Sequence, residues 1–172
     1  MSNRIFRFND DIDTDQLAPG QYMQGGIRAI AQHCLESVRP DFARDVKAGD
    51  ILIGGRNFGV GSSREQAAEA LKYLGVAAVI APSFAGIFYR NAINLGLPVL
   101  IGQVPDQVKD GDFAILDMEN SQLCCTTHKL NITLEPLPDN LALLLADGGL
   151  VPHLKKRFAA QLNNKSHTKG NS

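Results

Sequence analysis

Residues 55–66 read Gly55-Arg56-Asn57-Phe58-Gly59-Val60-Gly61-Ser62-Ser63-Arg64-Glu65-Gln66, three glycines followed by two hydroxyls and a guanidinium. If this stretch turns from a strand into a helix, the backbone N–H groups of the first turn, both serine hydroxyls and Arg64 converge on one point at the positive end of the helix dipole. Such a point holds a carboxylate or a phosphate. A plainer reading stands beside it. Ser62 with Glu65 and Ser63 with Gln66 each fit the S-x-x-E/Q pattern of a capping box, and glycines ahead of a helix permit an awkward backbone without any ligand. The stretch is not the phosphate loop of nucleotide-binding enzymes, because G-x-x-x-x-G-K-[ST] has no match and no lysine follows the glycines. Nor does either serine stand at the centre of G-x-S-x-G, which argues against a hydrolase nucleophile.

A second polar cluster, Asp11-Ile12-Asp13-Thr14-Asp15, has the carboxylate spacing of a calcium loop. Its sixth position is Gln16 where glycine is needed, and its twelfth is Tyr22 where glutamate is needed, so calcium is rejected. Asp11 and Asp13 are expected to satisfy local backbone in an Asx-type turn. His33, His128, His153 and His167 are scattered without metal-ligand spacing. Cys34 and the adjacent Cys124 and Cys125 form no C-x-x-C pair and leave an odd count, which suits reduced thiols and cannot supply a four-cysteine metal site.

Elements must hold these residues in place. Ile5, Phe6 and Phe8 suggest a first strand, followed by a long polar loop from Asn9 to about Gly26, a length that is uncommon unless functional or disordered. Residues 27–36 read as a short helix, residues 40–48 as a second helical piece, and Ile51, Leu52 and Ile53 as a buried strand opening onto the glycines. Ala67, Ala68, Leu71 and Leu74 recur at helical spacing and stop at Gly75, which predicts a helix over about 64–74. Residues 76–81 form a short apolar run typical of a buried parallel strand, and Ser83 is expected to cap a helix that ends at Gly96. Residues 98–101 repeat the strand signature, so 51–101 is a β-α-β-α-β unit. Shorter alternating strands near 113–116, 122–127 and 130–135 make the sheet mixed, and one or two helices follow between Asn140 and Leu162. One domain over residues 1–162 is expected, with 163–172 as a mobile tail lacking any apolar anchor.

The bulk numbers exclude more than they assign. Over 172 residues, 17 Lys and Arg against 18 Asp and Glu give a net charge of −1, so no global basic field collects nucleic acid or an anionic membrane. No apolar run approaches the roughly 20 residues of a membrane helix, and the N-terminal residues lack the apolar core of a signal peptide, so a cytoplasmic location is expected.

Three segments taken in order carry a resemblance. Asp11-Ile12-Asp13-Thr14-Asp15-Gln16-Leu17 with Pro19, then residues 57–65, then Ala81-Pro82-Ser83-Phe84-Ala85 with Ile87 and Phe88 and Asn91 through Pro98, resemble the 3-isopropylmalate dehydratase small subunits and the similar swivel domain of aconitase. The resemblance covers roughly residues 4–160. It implies an α/β swivelling-domain fold of β/β/α layers, with a mixed, partly parallel sheet flanked by helices. It also implies a hydro-lyase active only with a large subunit, whose [4Fe-4S] cluster acts as Lewis acid on the departing hydroxyl of a hydroxy acid. No cofactor is expected on this chain.

In such proteins the residue matching Ser62 removes the proton from the substrate carbon and the one matching Arg64 binds a substrate carboxylate, with Ser63 adding hydrogen bonds. Asp15 matches an active-site acid that orients a histidine of the partner. The loop around Gln24 approaches the variable substituent. An apolar residue there suits an isopropyl group and an arginine suits the extra carboxylate of homoaconitate, whereas glutamine decides neither, and Arg28 could supply a missing charge. Gln66 stands where histidine is common and Gly86 where a charged residue is, so fine specificity does not transfer. Related dehydratases of homoaconitate, citraconate or dimethylmalate remain open. A regulatory RNA-binding role is the alternative of a different class, and the near-neutral charge, without a basic stripe, argues against it.

Overall fold

Every residue of Ile51–Ile53 and Ala78–Ala81 is buried, the pattern of strands covered on both faces, and in a computed structural model describing residues 1–167 both are interior strands of one sheet. The strands are β1 (Asn3–Arg7), β2 (Ile51–Ile53), β3 (Ala78–Ala81), β4 (Val99–Ile101), β5 (Phe113–Asp117), β6 (Gln122–Cys125) and β7 (Leu130–Thr133). Their order is β4-β3-β2-β1-β5-β6-β7. The first four run parallel and β5 to β7 join antiparallel, which is the expected mixed sheet.

Alternation along each strand sends neighbouring side chains to opposite faces. Phe6, Leu52, Val79 and Val99 face the helices, packing with Leu71, Phe88 and Ala92. Ile5, Ile51, Ile80 and Leu100 face the other way, against Ala114, Leu123, Cys125 and Ile132 of the antiparallel strands. For one part of a sheet to cover the other, it must curl. The chain after β7 completes the turn: Glu135 N–H donates to the Ile101 carbonyl at 2.8 Å, and the Leu134 side chain lies against Gly102. The edge of β4 is thereby paired instead of left open.

The helices are α1 (Thr14–Leu17), α2 (Gly26–Gln32), α3 (Phe42–Asp45), α4 (Gln66–Tyr73), α5 (Gly86–Leu95), α6 (Asp139–Ala146) and α7 (Leu150–His167), with a 3-10 turn over Gly20–Gly25. Five expectations need correction. The polar stretch from Asn9 to Gly26 is not structureless, since it holds α1 and the 3-10 turn. Asp13 caps α1, accepting Gln16 N–H at 2.7 Å while the Gln16 side chain accepts Asp13 N–H at 2.9 Å, so the capping box lies here. The helix expected over 27–36 stops at Gln32, where Leu35 takes a left-handed φ of 59° and gives its N–H to the Gln16 carbonyl. The piece expected over 40–48 is a single turn. Ser83 caps nothing; its hydroxyl accepts the Asn57 N–H at 2.9 Å, and α5 starts after Ala85. Residues 163–167, expected as the start of a tail, continue α7, and residues 168–172 lie outside the described residues.

Candidate active site

Beyond the carboxyl ends of β1 and β2 the two strands continue side by side as loops. Gly55 N–H donates to the Asn9 carbonyl at 3.1 Å, Asp11 N–H to Arg56 at 2.8 Å, Gly59 N–H to Ile12 at 2.7 Å and Thr14 N–H to Val60 at 2.8 Å. This irregular ladder carries the segment before Ser62 alongside the one before Asp15. Phe58, fully buried, pins it from below, with its ring edge-on to Phe88 at 5.4 Å and to Phe84 at 6.0 Å. Gly59, at φ +82°, is where Phe88 presses closest, and any Cβ there would lie 2.1 Å from that ring.

Thr14 holds Ser62. It is buried to 3% exposure, and its Oγ1 accepts the Ser62 N–H at 3.0 Å while lying 3.2 Å from Ser62 Oγ. With one lone pair taken by that N–H, the threonine hydroxyl proton is free to point at Ser62 Oγ and stabilise negative charge on it. Gly61 makes room for this approach: its φ is +118°, and a Cβ would meet Thr14 Oγ1 at 2.8 Å. Sequence reading passed over Thr14 between its two aspartates. The signal available was its position three residues before Leu17 on one turn of helix, which puts both on the buried face.

Arg64 is drawn to the same loop. Its Nη1 donates to Asp15 Oδ1 at 2.7 Å and to the Ala18 carbonyl at 2.9 Å, while Nη2 and Nε have no acceptor among the described residues. The guanidinium is thus oriented with one edge still available for a carboxylate. Asp15 has found a partner in its own chain, where the sequence suggested only a histidine of another. The Arg64 hydrogen bond, followed by the Gly20 N–H, holds the Asp15 carboxyl below the ordinary aspartate value of 3.8. A depressed carboxyl stabilises the fold above its unfolded value and loses that contribution as pH falls through the folded one. With Asp15 71% exposed, solvent screening keeps the contribution small. By carboxyl NMR titration Asp15 is expected to titrate below 3.8 in the native chain and to return toward 3.8 in Arg64→Gln. An unshifted native value contradicts the pairing.

The expected capping boxes at Ser62–Glu65 and Ser63–Gln66 are absent. Glu65, already helical at φ −60° and ψ −33°, precedes α4 and makes no side-chain cap bond. In consequence the backbone N–H groups of Ser63, Arg64, Glu65 and Gln66 have no acceptor among the described residues. They form an uncapped, electropositive turn directly after Ser62.

This surface is open. A cavity of about 320 Å³ beside Asp15 and Gly20 and another of about 590 Å³ beside Asp10 and Arg56 flank it, and neither is lined by Ser62, Ser63 or Arg64. Ser62 and Ser63 are exposed. The structure therefore gathers Asp15, Ser62, Ser63 and Arg64 in one region. Gln24 and Arg28, both exposed at the 3-10 turn and the start of α2, make no hydrogen bond or ion pair to those four among the described residues. The 3-10 turn is tied to the end of α2 by Tyr22, whose ring stacks on His33 at 3.5 Å.

A model of the aconitase C-terminal domain matches residues 15–103, a span that includes Asp15, Ser62 and Arg64. The chain belongs to the aconitase C-terminal domain family. Among its relatives, the homoaconitase small subunit of Methanothermobacter thermautotrophicus is 47% identical over 154 residues, 89% of each chain. A 3-isopropylmalate dehydratase small subunit of Archaeoglobus fulgidus is 44% identical over 158 residues, 91% of this chain and 95% of the relative. The crystal structure of a 3-isopropylmalate dehydratase from Methanocaldococcus jannaschii matches with a TM-score of 0.90 at 43% identity, over 95% of this chain and 98% of that one. The curled sheet and its helices are those of this aconitase-type family.

Proposed function

We propose that the chain is the small subunit of a two-chain hydro-lyase that isomerises a hydroxy diacid or triacid by dehydration and rehydration, with 3-isopropylmalate as substrate. The observation that carries this is an exposed Ser62 whose N–H and Oγ are both engaged by buried Thr14, beside an Arg64 with one guanidinium edge open. Ser62 Oγ takes the proton from the substrate carbon, Arg64 holds a carboxylate, and Ser63 and the uncapped turn add hydrogen bonds. Asp15 keeps Arg64 turned toward the site. A serine is a poor base in water, so the anion must be met by the Thr14 hydroxyl, the turn and Arg64 in a site from which water is shut out. An open face requires a second chain to close it, which is the role of a large subunit.

The Lewis acid of the reaction is assigned to that partner as a [4Fe-4S] cluster. The thiols of this chain do not fit such a group: Cys34 is fully buried in the helical layer, and Cys124 and Cys125 are neighbours on β6 that point to opposite faces. Among the described residues no three His, Cys, Asp or Glu side chains could hold a metal, and no helix is long and apolar enough to cross a membrane. Free thiols suit a reducing cytoplasm.

Substrate choice rests on Arg64 as one guanidinium for one carboxylate and on Val60, 37% exposed beside Ser62, as apolar surface for an alkyl branch. A homoaconitate reading is favoured by the 47% identical relative and by Arg28, a cation that no acid engages among the described residues. Anaerobic co-purification with a cluster-bearing large subunit, then kcat/KM on the unsaturated diacids of the isopropyl, dimethyl and citraconate series and on the unsaturated triacid homoaconitate, decides. The isopropyl compound is expected to be fastest, with Arg28→Ala neutral. Preference for homoaconitate lost in Arg28→Ala establishes the second reading. No turnover of any, with salt-sensitive RNA retention, overturns both.

Thr14→Val preserves shape while removing two hydrogen bonds of about 1 kcal/mol each, so kcat of the reconstituted enzyme is expected to fall about ten- to a hundredfold with KM little changed. Thr14→Ser should recover most of it. Wild-type kcat in Thr14→Val would remove Thr14 from the mechanism.

A further inference from the structure

The long helix α7 turns an apolar stripe to solvent. Val151, Leu154, Phe158 and Leu162 are 60%, 37%, 60% and 69% exposed. At 3.6 residues per turn they fall within about 80° of arc over about 17 Å of helix. The opposite side of α7 is held to its own chain, with His153 Nδ1 2.7 Å from Asp147 Oδ2 and Lys156 Nζ donating to Asp147 Oδ1 at 2.8 Å. Lys155 and Arg157 flank the stripe.

Charge narrows what can cover it. All 18 acidic residues of the chain precede Leu150, and five of its 17 basic residues follow. Two α7 helices laid against each other would oppose like charges, which is unfavourable. The occupant must offer an apolar floor with an acidic rim. The chain has such a feature: a groove of about 610 Å³ running from the amino end of β4 past the β5–β6 turn to α6, floored by Pro98, Met118, Leu137 and Leu145 and edged by Glu119 and Asp139. Met118 is 40% exposed, and both acids are exposed without an ion-pair partner among the described residues.

We infer that the chain pairs with a second copy of itself, α7 of each lying in the α6 groove of the other. Apolar stripe meets apolar floor, while Lys155 and Arg157 meet Glu119 and Asp139. The groove begins at the amino end of β4 and Ser62 lies beyond the carboxyl end of β2, so the pairing leaves the Ser62 face uncovered. It stands independently of the proposed activity.

Sedimentation velocity of the full chain over a concentration series tests it. The wild-type chain is expected to form dimers, and Phe158→Asp and Met118→Asp each to raise the dissociation constant at least about tenfold. Mixing these two variants should restore a heterodimer through the single intact helix–groove contact, which pairing between two α7 helices would not do. Circular dichroism checks folding; Leu162→Asp replaces Phe158→Asp, and Ala142→Glu in the groove replaces Met118→Asp, where either melts early. A wild-type monomer at all concentrations overturns the inference, as does a dimer indifferent to both substitutions. A monomer whose Phe158→Asp form fails to co-purify with the large subunit also overturns it, by giving the helix to that partner.

Discussion

Replacing Ser62 by alanine is expected to lower kcat of the reconstituted enzyme by about 10²- to 10⁴-fold, the range for loss of a positioned proton-transfer group. KM, melting temperature and affinity for the larger chain should barely move. The reason lies in the geometry: Ser62 is exposed, so its hydroxyl supports no core, and the Thr14 bond to Ser62 N–H survives the substitution. What is lost is the one oxygen held 3.2 Å from a buried hydroxyl and followed by an uncapped helical turn. Steady-state kinetics with a thermal melt separates the outcomes. A kcat within about threefold of wild type would assign the proton to another group.

Arg64→Gln is the second large effect. A carboxylate bound by a guanidinium edge gains two charge-assisted hydrogen bonds at about 1.5–3 kcal/mol each, so kcat/KM is expected to fall by about 10²- to 10⁴-fold. Unlike Ser62→Ala, the loss should appear chiefly in KM, because the carboxylate is present in the ground state and the transition state alike. Arg64→Lys should recover only part, since an ammonium cannot present a planar pair of donors. Some stability is lost too, because the Ala18 carbonyl, on a fully buried residue, gives up the Nη1 donor. A melt beside the kinetics keeps the two effects apart, and a KM unchanged in Arg64→Gln would deny Arg64 a substrate role.

The strands of the parallel half were legible because each is a short apolar run bounded by glycine or proline, and Gly75 and Gly96 marked helix ends by their left-handed backbone. The residues of the candidate site were legible through three ordered motifs. What could not be read was how they meet. Sequence patterns fit a capping box at Ser62–Glu65, yet the box closes at Asp13–Gln16, because tertiary pairing of the two loops decides which serine or aspartate has a free helix end before it. The same pairing hid Thr14, whose role exists only once the Gly61 backbone passes within reach of it, 48 residues away from Ser62 in sequence. The bond of Arg64 to Asp15 spans 49 residues and leaves no local trace.

The central claim is that Ser62, supported by Thr14, moves the proton at the substrate carbon. The most direct measurement is deuterium incorporation into the hydroxy acid by the reconstituted enzyme in deuterium oxide. The wild-type chain should exchange that carbon-bound hydrogen, Thr14→Val should exchange it more slowly, and Ser62→Ala should still bind the acid yet leave the hydrogen in place. Exchange at the wild-type rate in Ser62→Ala would contradict the account.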